Sequence, residues 1–429
     1  MSRQTKEYDE LYSNIELIPD EAIKDTEDGQ GFDVDWELVE EKYQKRHQHH
    51  SGHHQSGHSH KHHTGQSHRH SSQSKHSSDK GRNGKKSKVS EKKWSRKKKI
   101  FIGILIFFFI LIIGLISTFF ILRHLGKQTM LNYEDINITV PSGVDYEDDG
   151  RTVYYKGHTY RFNENIASVL FMGIDNRELK ENATAGTAGQ ADALYLFTYN
   201  SQNGKIKVLN LNRDTMTDIS RYDAAGTYYD TTTTQLCLAY AYGDGKTLSA
   251  ENQVTAVERL LYNVPIHAYY AINLEAIQIL NDDIGGVTLT PEYTFGSFVK
   301  GQQVTIKGDM AEEFVRHRDT SLLDDNLRRM ACQRLYINSF ANQIVPAIKK
   351  DLQVPIKLYQ HSAKHTVTNI KAPVLTYLAS SLATNYSGLN MTTVGGKYVD
   401  APDDEAAQFK VKKKELFETV LDFYYTQIN

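Results

Sequence analysis

Apolar and polar positions alternate along three stretches in the middle of the chain. SVLFMGID (168–175), DALYLFTYN (192–200) and KIKVLNLNRD (205–214) are apolar or two-residue-periodic runs bounded by Gly, Asn and Asp, the pattern of strands. The turn Ser201 to Gly204 joins the last two. Beyond Leu236 the period lengthens: LCLAYAY and NQVTAVERLLYNV place apolar residues at helical spacing. HAYYAIN (267–273) reads as a strand, NLEAIQILNDDI as a helix opening at an Asn cap, and GGVTLT as another strand. GDMAEEFVRHR and LDDNLRRMACQRLYINSFANQIVPAIKK follow as helices, and an amphipathic helix is expected near Lys412 to Ile428. Strands alternating with helices predict an α/β layered domain. Ahead of it, RTVYYKGHTYRF suggests a small hairpin in the lead-in 123–160.

One run breaks every amphipathic pattern. Ile100 to Leu122 holds 23 residues without a charge, which as a helix spans about 34 Å against a hydrocarbon core of about 30 Å. It reads as a transmembrane helix, since no face of it is polar. Its length, its position about a hundred residues in and the lack of a small-residue cleavage site argue against a cleaved signal peptide. The flank from Lys80 to Lys99 carries eleven Lys or Arg and one acid, so the positive-inside rule places the N-terminus in the cytoplasm and the 307 residues after Leu122 outside the membrane.

Composition then divides the N-terminal part. Residues 1–45 carry 14 Asp or Glu against 5 Lys or Arg, residues 46–79 hold 12 of the 18 histidines among Ser, Gly and Gln, and 80–99 are basic. None of these blocks buries enough apolar surface to offset chain entropy, so 1–99 is expected to be a disordered cytoplasmic tail. The His tract would bind divalent transition metals in vitro, but it offers no fixed ligand set and is read as a solvated spacer. These blocks lower the hydrophobic fraction to 39% and the mean hydropathy to -0.52. A net charge of -2 gives no global positive excess, so no nucleic-acid partner is expected. Two cysteines, Cys237 and Cys332, exclude a disulfide framework or an all-cysteine metal site. They leave open either one bond between them or two buried thiols.

The candidate chemistry sits at the ends of the predicted elements. Asp175 closes the first strand, Asp192 opens the second, and Arg213 with Asp214 closes the third; in an α/β sheet such ends form the ligand crevice. VRHRDT adds Arg316 and Arg318, and LDDNLRRMACQ adds Asp325, Arg328 and Arg329. Each fragment alone suits a surface salt bridge. Together, several guanidinium forks and two carboxylates suit a polyanionic phosphate ligand with a divalent cation. AYAYGDGK has neither Walker nor GxGxxG spacing.

FMGIDNR, ADALYLFTYN, NLNRDT, QLCLAYAYGDG, HAYYAINLEAIQILNDDIGGVTLT and VRHRDTSLLDDNLRRMACQ, in this order over about 165–345 and behind one transmembrane helix, resemble the LytR-CpsA-Psr family. The resemblance implies an α/β/α sandwich with a mixed central sheet and a lipid-filled groove, on the outer face of the membrane of a Gram-positive bacterium. It implies transfer of a glycopolymer from an undecaprenyl (polyprenyl) pyrophosphate carrier to peptidoglycan through a phosphodiester, with pyrophosphate hydrolysis as a side activity. By motif, Asp175 and Asp192 match the magnesium-associated carboxylates, Arg213 the pyrophosphate-binding arginine, and Arg316 with Arg318 the paired arginines. The last motif departs from the family pattern. Asp325 to Arg328 satisfies one of its spacings and Arg329 to Gln333 the other, which leaves the choice between the two arginines open, and Cys332 stands where the family has arginine. Asp325 is the candidate base. The division that follows is a tail (1–99), a transmembrane helix (100–122), a lead-in (123–160), a catalytic domain (161–350) and a C-terminal extension (351–429). A competing reading, a non-catalytic envelope sensor acting through the tail, has no need of the arginine and carboxylate set.

Overall fold

The structure, a computed structural model, describes residues 23–25, 32–34 and 95–429 except 135, 180–182, 184–185, 224, 319–324 and 400–406, and of 325–327 only the helical backbone. The acidic, histidine and basic blocks of the tail therefore lie almost wholly outside the described residues. Within them, β1 (Ile23–Asp25) and β2 (Phe32–Val34) pair antiparallel. So short a ribbon is marginal by itself in water.

The apolar run lies within a longer helix, α1 (Arg96–Met130). The Ser95 side chain accepts from Lys98 N–H at its start, and the helix continues eight residues past Leu122 because Gly126 and Met130 are buried against the domain. It is long and apolar enough to cross a membrane.

A small antiparallel sheet follows: β3 (Asp145–Glu147), β4 (Thr152–Tyr155) and β5 (His158–Phe162). β4 and β5 form the expected hairpin around Lys156 and Gly157, both at positive φ.

The central sheet holds β6 (Ile166–Ile174), β7 (Ala191–Asn200), β8 (Lys205–Leu211), β11 (Ala268–Ile272), β14 (Thr366–Thr368) and β15 (Gly388–Thr393), in the order β14-β11-β6-β7-β8-β15. It is mixed: β11 is parallel to β6 and β15 to β8, while the other neighbours are antiparallel. The turn between β7 and β8 is tight. A Cβ at Gly204, whose φ is +73°, would fall 1.3 Å from the Asn385 carbonyl oxygen, so only glycine fits.

Alternation in the strands sorts two faces. Leu170, Met172, Leu194, Leu196, Leu209 and Leu211 point into the main core. That face is covered by α3 (Thr247–Leu260) and α9 (Lys413–Tyr424), through residues such as Val257, Phe417 and Val420. Phe171, Tyr195, Phe197, Ile206 and Ile272 face the other way, toward α6 (Asp325–Lys350) and α8 (Ala372–Asn385). Three layers result, an α/β/α sandwich.

Several elements differ from the sequence reading. LCLAYAY yields only α2 (Leu238–Ala241). GGVTLT forms β12 (Val287–Leu289), which pairs with β13 (Val304–Ile306) outside the central sheet. The hairpin of β9 (Met216–Tyr222) and β10 (Tyr228–Gln235) has too little apolar alternation to announce itself. The C-terminal helix stops at Tyr424, because Tyr425–Gln427 pairs with β5 as β18. HAYYAIN, GDMAEEFVRHR and the Asn cap are found as expected: Asn273 Oδ1 accepts from Ala276 N–H at 3.1 Å and opens α4 (Leu274–Asp283), and α5 covers Asp309–Arg316. Residues 351–429 are built into the sheet, supplying its two outer strands, along with α7 (Val354–Ser362) and a hairpin of β16 (Gly396–Val399) and β17 (Gln408–Val411).

Candidate active site

β6 ends, β7 begins and β8 ends at one edge of the sheet, which brings Asp175, Asp192 and Arg213 together from three neighbouring strands. Asp192 is the hub. Its Oδ1 pairs with Arg213 Nη1, and its Oδ2 lies 3.5 Å from Arg329 Nη1. Arg213 is held on each of its nitrogens: Nη2 donates to Gln190 Oε1, and Nε to Asp214 Oδ1 at 3.3 Å. Burial opposes its charge, but Cys237, Asp192 and Asp214 beside it outweigh that, and its pKa is raised. Arg329 is 6% exposed, and its pKa is lowered, by burial first, with Arg318 and Arg213 nearby adding repulsion that Asp192 partly offsets. An anion placed here would stabilise both guanidinium ions.

Gln190 ties the carboxylates to the arginine. Its N–H donates to Asp175 Oδ1 at 2.7 Å while its side chain accepts from Arg213. Behind Asp214 stands a polar set: Gln235 Nε2 donates to its Oδ1 at 3.1 Å, and the Tyr398 hydroxyl to its Oδ2 at 3.1 Å. On the other side of the mouth, the buried Glu312 accepts from Arg316 at 2.7 Å and from Arg177 at 2.9 Å.

Beneath this charged edge runs a cavity of about 480 Å³. Asp175, Asp192, Arg316, Arg318 and Arg329 line its mouth, and Phe171, Phe197, Ile337, Phe340, Ile344 and Leu382 line its body. The walls are thus the second face of the sheet and the inward faces of α6 and α8, with apolar residues recurring at helical spacing from Ile337 onward.

The structure separates the two adjacent arginines. Arg329 enters the mouth; Arg328 does not line it and lies over the Tyr293 ring, 5.5 Å from its centroid. Gln333, on the face of α6 shared with Arg329, accepts from the Tyr195 hydroxyl at 3.2 Å and donates to the Val315 carbonyl at 3.0 Å. Arg213 touches Asp192 but stands beside the cavity, not in its wall. Asp325 opens α6, its side chain lying outside the described residues. Cys237 and Cys332 are both free and buried, each thiol pushed up to about 12 by burial. Cys237 sits behind Gln190, its Sγ 3.8 Å from Oε1, and Cys332 packs under α5 with Phe314, so the two form no bond.

Gln190, Tyr398 and Glu312 carry no mark in the sequence reading. Glu312 was within reach, since it precedes Arg316 by one helical turn. Gln190 lies in a small-residue loop and Tyr398 almost two hundred residues from its partners, and neither offers a local signal.

Fold and site together define a three-layer protein with a mouth lined by arginines and carboxylates above an apolar cavity. The LytR_cpsA_psr family profile matches residues 142–421, and the chain belongs to that family. Among curated relatives, it is 27% identical over 233 residues to the protein named polyisoprenyl-teichoic acid--peptidoglycan teichoic acid transferase TagU of Bacillus licheniformis, covering 53% of this chain and 64% of that one. A protein of the same name from Bacillus cereus is 30% identical over 155 residues, 35% of this chain and 44% of that one. The chain thus spans between 44% and 64% of the length of these relatives. Among solved structures, the crystal structure of B. subtilis TagV is similar at a TM-score of 0.47 and 20% identity, over 61% of this chain and 96% of that one.

Proposed function

We propose that this protein transfers a glycopolymer from a polyprenyl pyrophosphate carrier to peptidoglycan, anchored by α1 with its tail in the cytoplasm and its folded domain outside the membrane. The observation that carries the reading is the continuity of the mouth with the apolar cavity: one end takes a doubly charged pyrophosphate and the other a prenyl chain, an amphiphile that a sensor has no need to grip by its phosphates. The names of the relatives point the same way.

The chemistry follows from the side chains. A hydroxyl of the acceptor attacks the phosphorus that carries the glycan. A P–O bond forms to that hydroxyl oxygen as the bond to the bridging oxygen breaks, and prenyl monophosphate leaves with the bridging electrons. The hydroxyl proton goes to a carboxylate, for which Asp325 at the start of α6 is the candidate; with water as acceptor the same step is hydrolysis. Arg329, Arg316 and Arg318 stand where charge develops on the phosphoryl oxygens, and a preorganised guanidinium there lowers the barrier without reorganising. Arg213 holds Asp192 in place and offers a second fork from behind it. The residues fit a magnesium ion: Asp175 is exposed at the mouth beside Asp192, and Mg²⁺ is commonly held by one or two carboxylates with phosphate oxygens completing its shell. Bound there, it would neutralise pyrophosphate charge.

The test is turnover of a polyprenyl pyrophosphate-linked saccharide by the full chain in nanodiscs with peptidoglycan fragments. Release of prenyl monophosphate, glycan-phosphate on the acceptor and loss of both on chelation are expected. Tight lipid binding without turnover would put the sensor reading ahead.

A further inference from the structure

The apolar end of the cavity lies at a corner of the domain that the reaction does not use. There α1 meets α8: Gly126 abuts the Pro373 backbone and Tyr377, and Arg123 Nε donates to Ser380 Oγ at 3.1 Å. Falling residue numbers on one helix meet rising numbers on the other, so α8 runs antiparallel to α1 and its last turn points back along the apolar segment. At about 1.5 Å per residue, Leu382 and Tyr386 lie about 3 and 9 Å beyond Ser380, level with the apolar residues that precede Arg123.

Against that last turn pack Ile344 and Ile348 from the end of α6 and Val354 and Leu358 from α7. The Lys349 ammonium lies 5.9 Å from the Tyr386 ring centroid. The outward side of this corner is unusual. Leu352 is 42% and Ile356 46% exposed, set among exposed Lys349, Lys350 and Lys357 with Asp351 as the acid between them, 3.9 Å from Lys357 Nζ. The next pair outward, His361 with Asp283, is already satisfied at 2.9 Å. Two bare aliphatic side chains, three lysines and a tyrosine, beside a helix about to enter an apolar phase, have the composition of a surface that rests on an anionic membrane interface.

We propose that residues 349–357, with Tyr386, form a membrane-docking surface that lies on the anionic headgroups of the bilayer α1 enters. Leu352 and Ile356 dip below the phosphates and the lysines sit on them. The inference rests on the reading of α1 as a membrane span. Docked this way, the foot of the cavity, lined by Ile344, Leu382 and Tyr386, is held at the level where a prenyl chain leaves the bilayer.

Spin labels on the full chain in nanodiscs test it. Single cysteines replace Leu352, Ile356, Gly114 in the apolar run and Thr231 on the hairpin beyond Asp214; Cys237 and Cys332 are buried and do not label. In phosphatidylcholine with phosphatidylglycerol, labels at 352 and 356 are expected to collide with oxygen in preference to a water-soluble nickel complex, as at 114, whereas 231 shows the reverse. Combining Lys349→Gln, Lys350→Gln and Lys357→Gln, or omitting phosphatidylglycerol, should shift 352 and 356 toward water. Labels at 352 and 356 as nickel-accessible as 231, with 114 embedded, overturn the docking surface alone. A nickel-accessible 114 overturns the membrane span and the docking surface together.

Discussion

Arg329 Nη1 lies 3.5 Å from Asp192 Oδ2, joining the start of a central strand to a helix 137 residues later. Because Arg213 pairs with the other oxygen of the same carboxylate, Asp192 holds one guanidinium group in the mouth and a second behind it.

This pairing predicts an asymmetry between neighbours that their sequence hides. Arg329→Lys keeps the charge but loses the planar fork in a nearly buried position. Turnover of the polyprenyl pyrophosphate should fall by at least about tenfold, or about 1.4 kcal/mol. Arg328→Lys, over Tyr293 and away from the cavity, should stay within about twofold, since its cation–π contact is made outside the mouth and bears on stability instead. Equal losses in the two variants would remove the distinction between the two arginines, and a larger loss in Arg328→Lys would reverse it.

Arg213 is bonded to Asp192, Gln190 and Asp214 at once. Arg213→Lys cannot reach all three, so a fall in kcat of about tenfold or more is expected with secondary structure and Tm nearly unchanged. A melted domain whose folded fraction turns over normally would make the residue a structural ion-pair member and nothing more.

Asp214 in turn depends on a hydroxyl from the far C-terminal hairpin, where Tyr398 donates to its Oδ2. Tyr398→Phe deletes that bond, which is the one that bears on Arg213, together with the one the hydroxyl accepts from Asn212 Nδ2 at 3.0 Å, without changing shape. It should reduce kcat a few-fold, in line with about 1 kcal/mol for one hydrogen bond, while KM stays constant. The loss should largely vanish in an Arg213→Lys background, because residues acting through one another are not additive. Additive losses would show that Tyr398 does not act through Arg213.

The strands that carry Asp175, Asp192 and Arg213 were legible because their alternation is uninterrupted and their polar residues fall at strand ends, where side chains leave the sheet together. The choice between Arg328 and Arg329 was not. Both satisfy a plausible spacing, and which one turns inward depends on the rotation of α6 against the sheet, set by packing of Ile337, Phe340 and Ile344. The β9–β10 hairpin was invisible for a related reason: its threonines and tyrosines favour a strand, but the aspartates among them do not, and as a two-stranded ribbon outside the central sheet, lying over α3, it shows no sustained apolar alternation. Strand β15 joins the sheet beside β8 nearly two hundred residues after it, a pairing fixed by tertiary context. The hydroxyl of Tyr398 reaches Asp214 only because β17 meets the start of β9, through the Thr215 and Phe409 bridge.

His267 opens β11 beneath the point where α1 joins the domain. Its Nδ1 accepts from the Ser168 N–H at 3.3 Å and lies 2.8 Å from the Ser168 hydroxyl, and its ring meets Tyr133 edge-on. Burial lowers its pKa to about 4, only partly offset by the Asn132 backbone. The folded state therefore binds the proton more weakly than the unfolded chain, whose histidine titrates near 6.5. The sign follows: stability from the neutral ring is fully present above pH 6.5 and is lost as pH falls from there toward 4, by about 3 kcal/mol at the lower end. His267→Asn should lower Tm at neutral pH, since it leaves space beside Tyr133, yet flatten the decline between pH 6.5 and 4. Thermal melts of both proteins across that range check it, and an unchanged acid slope in the variant would assign the decline to other groups.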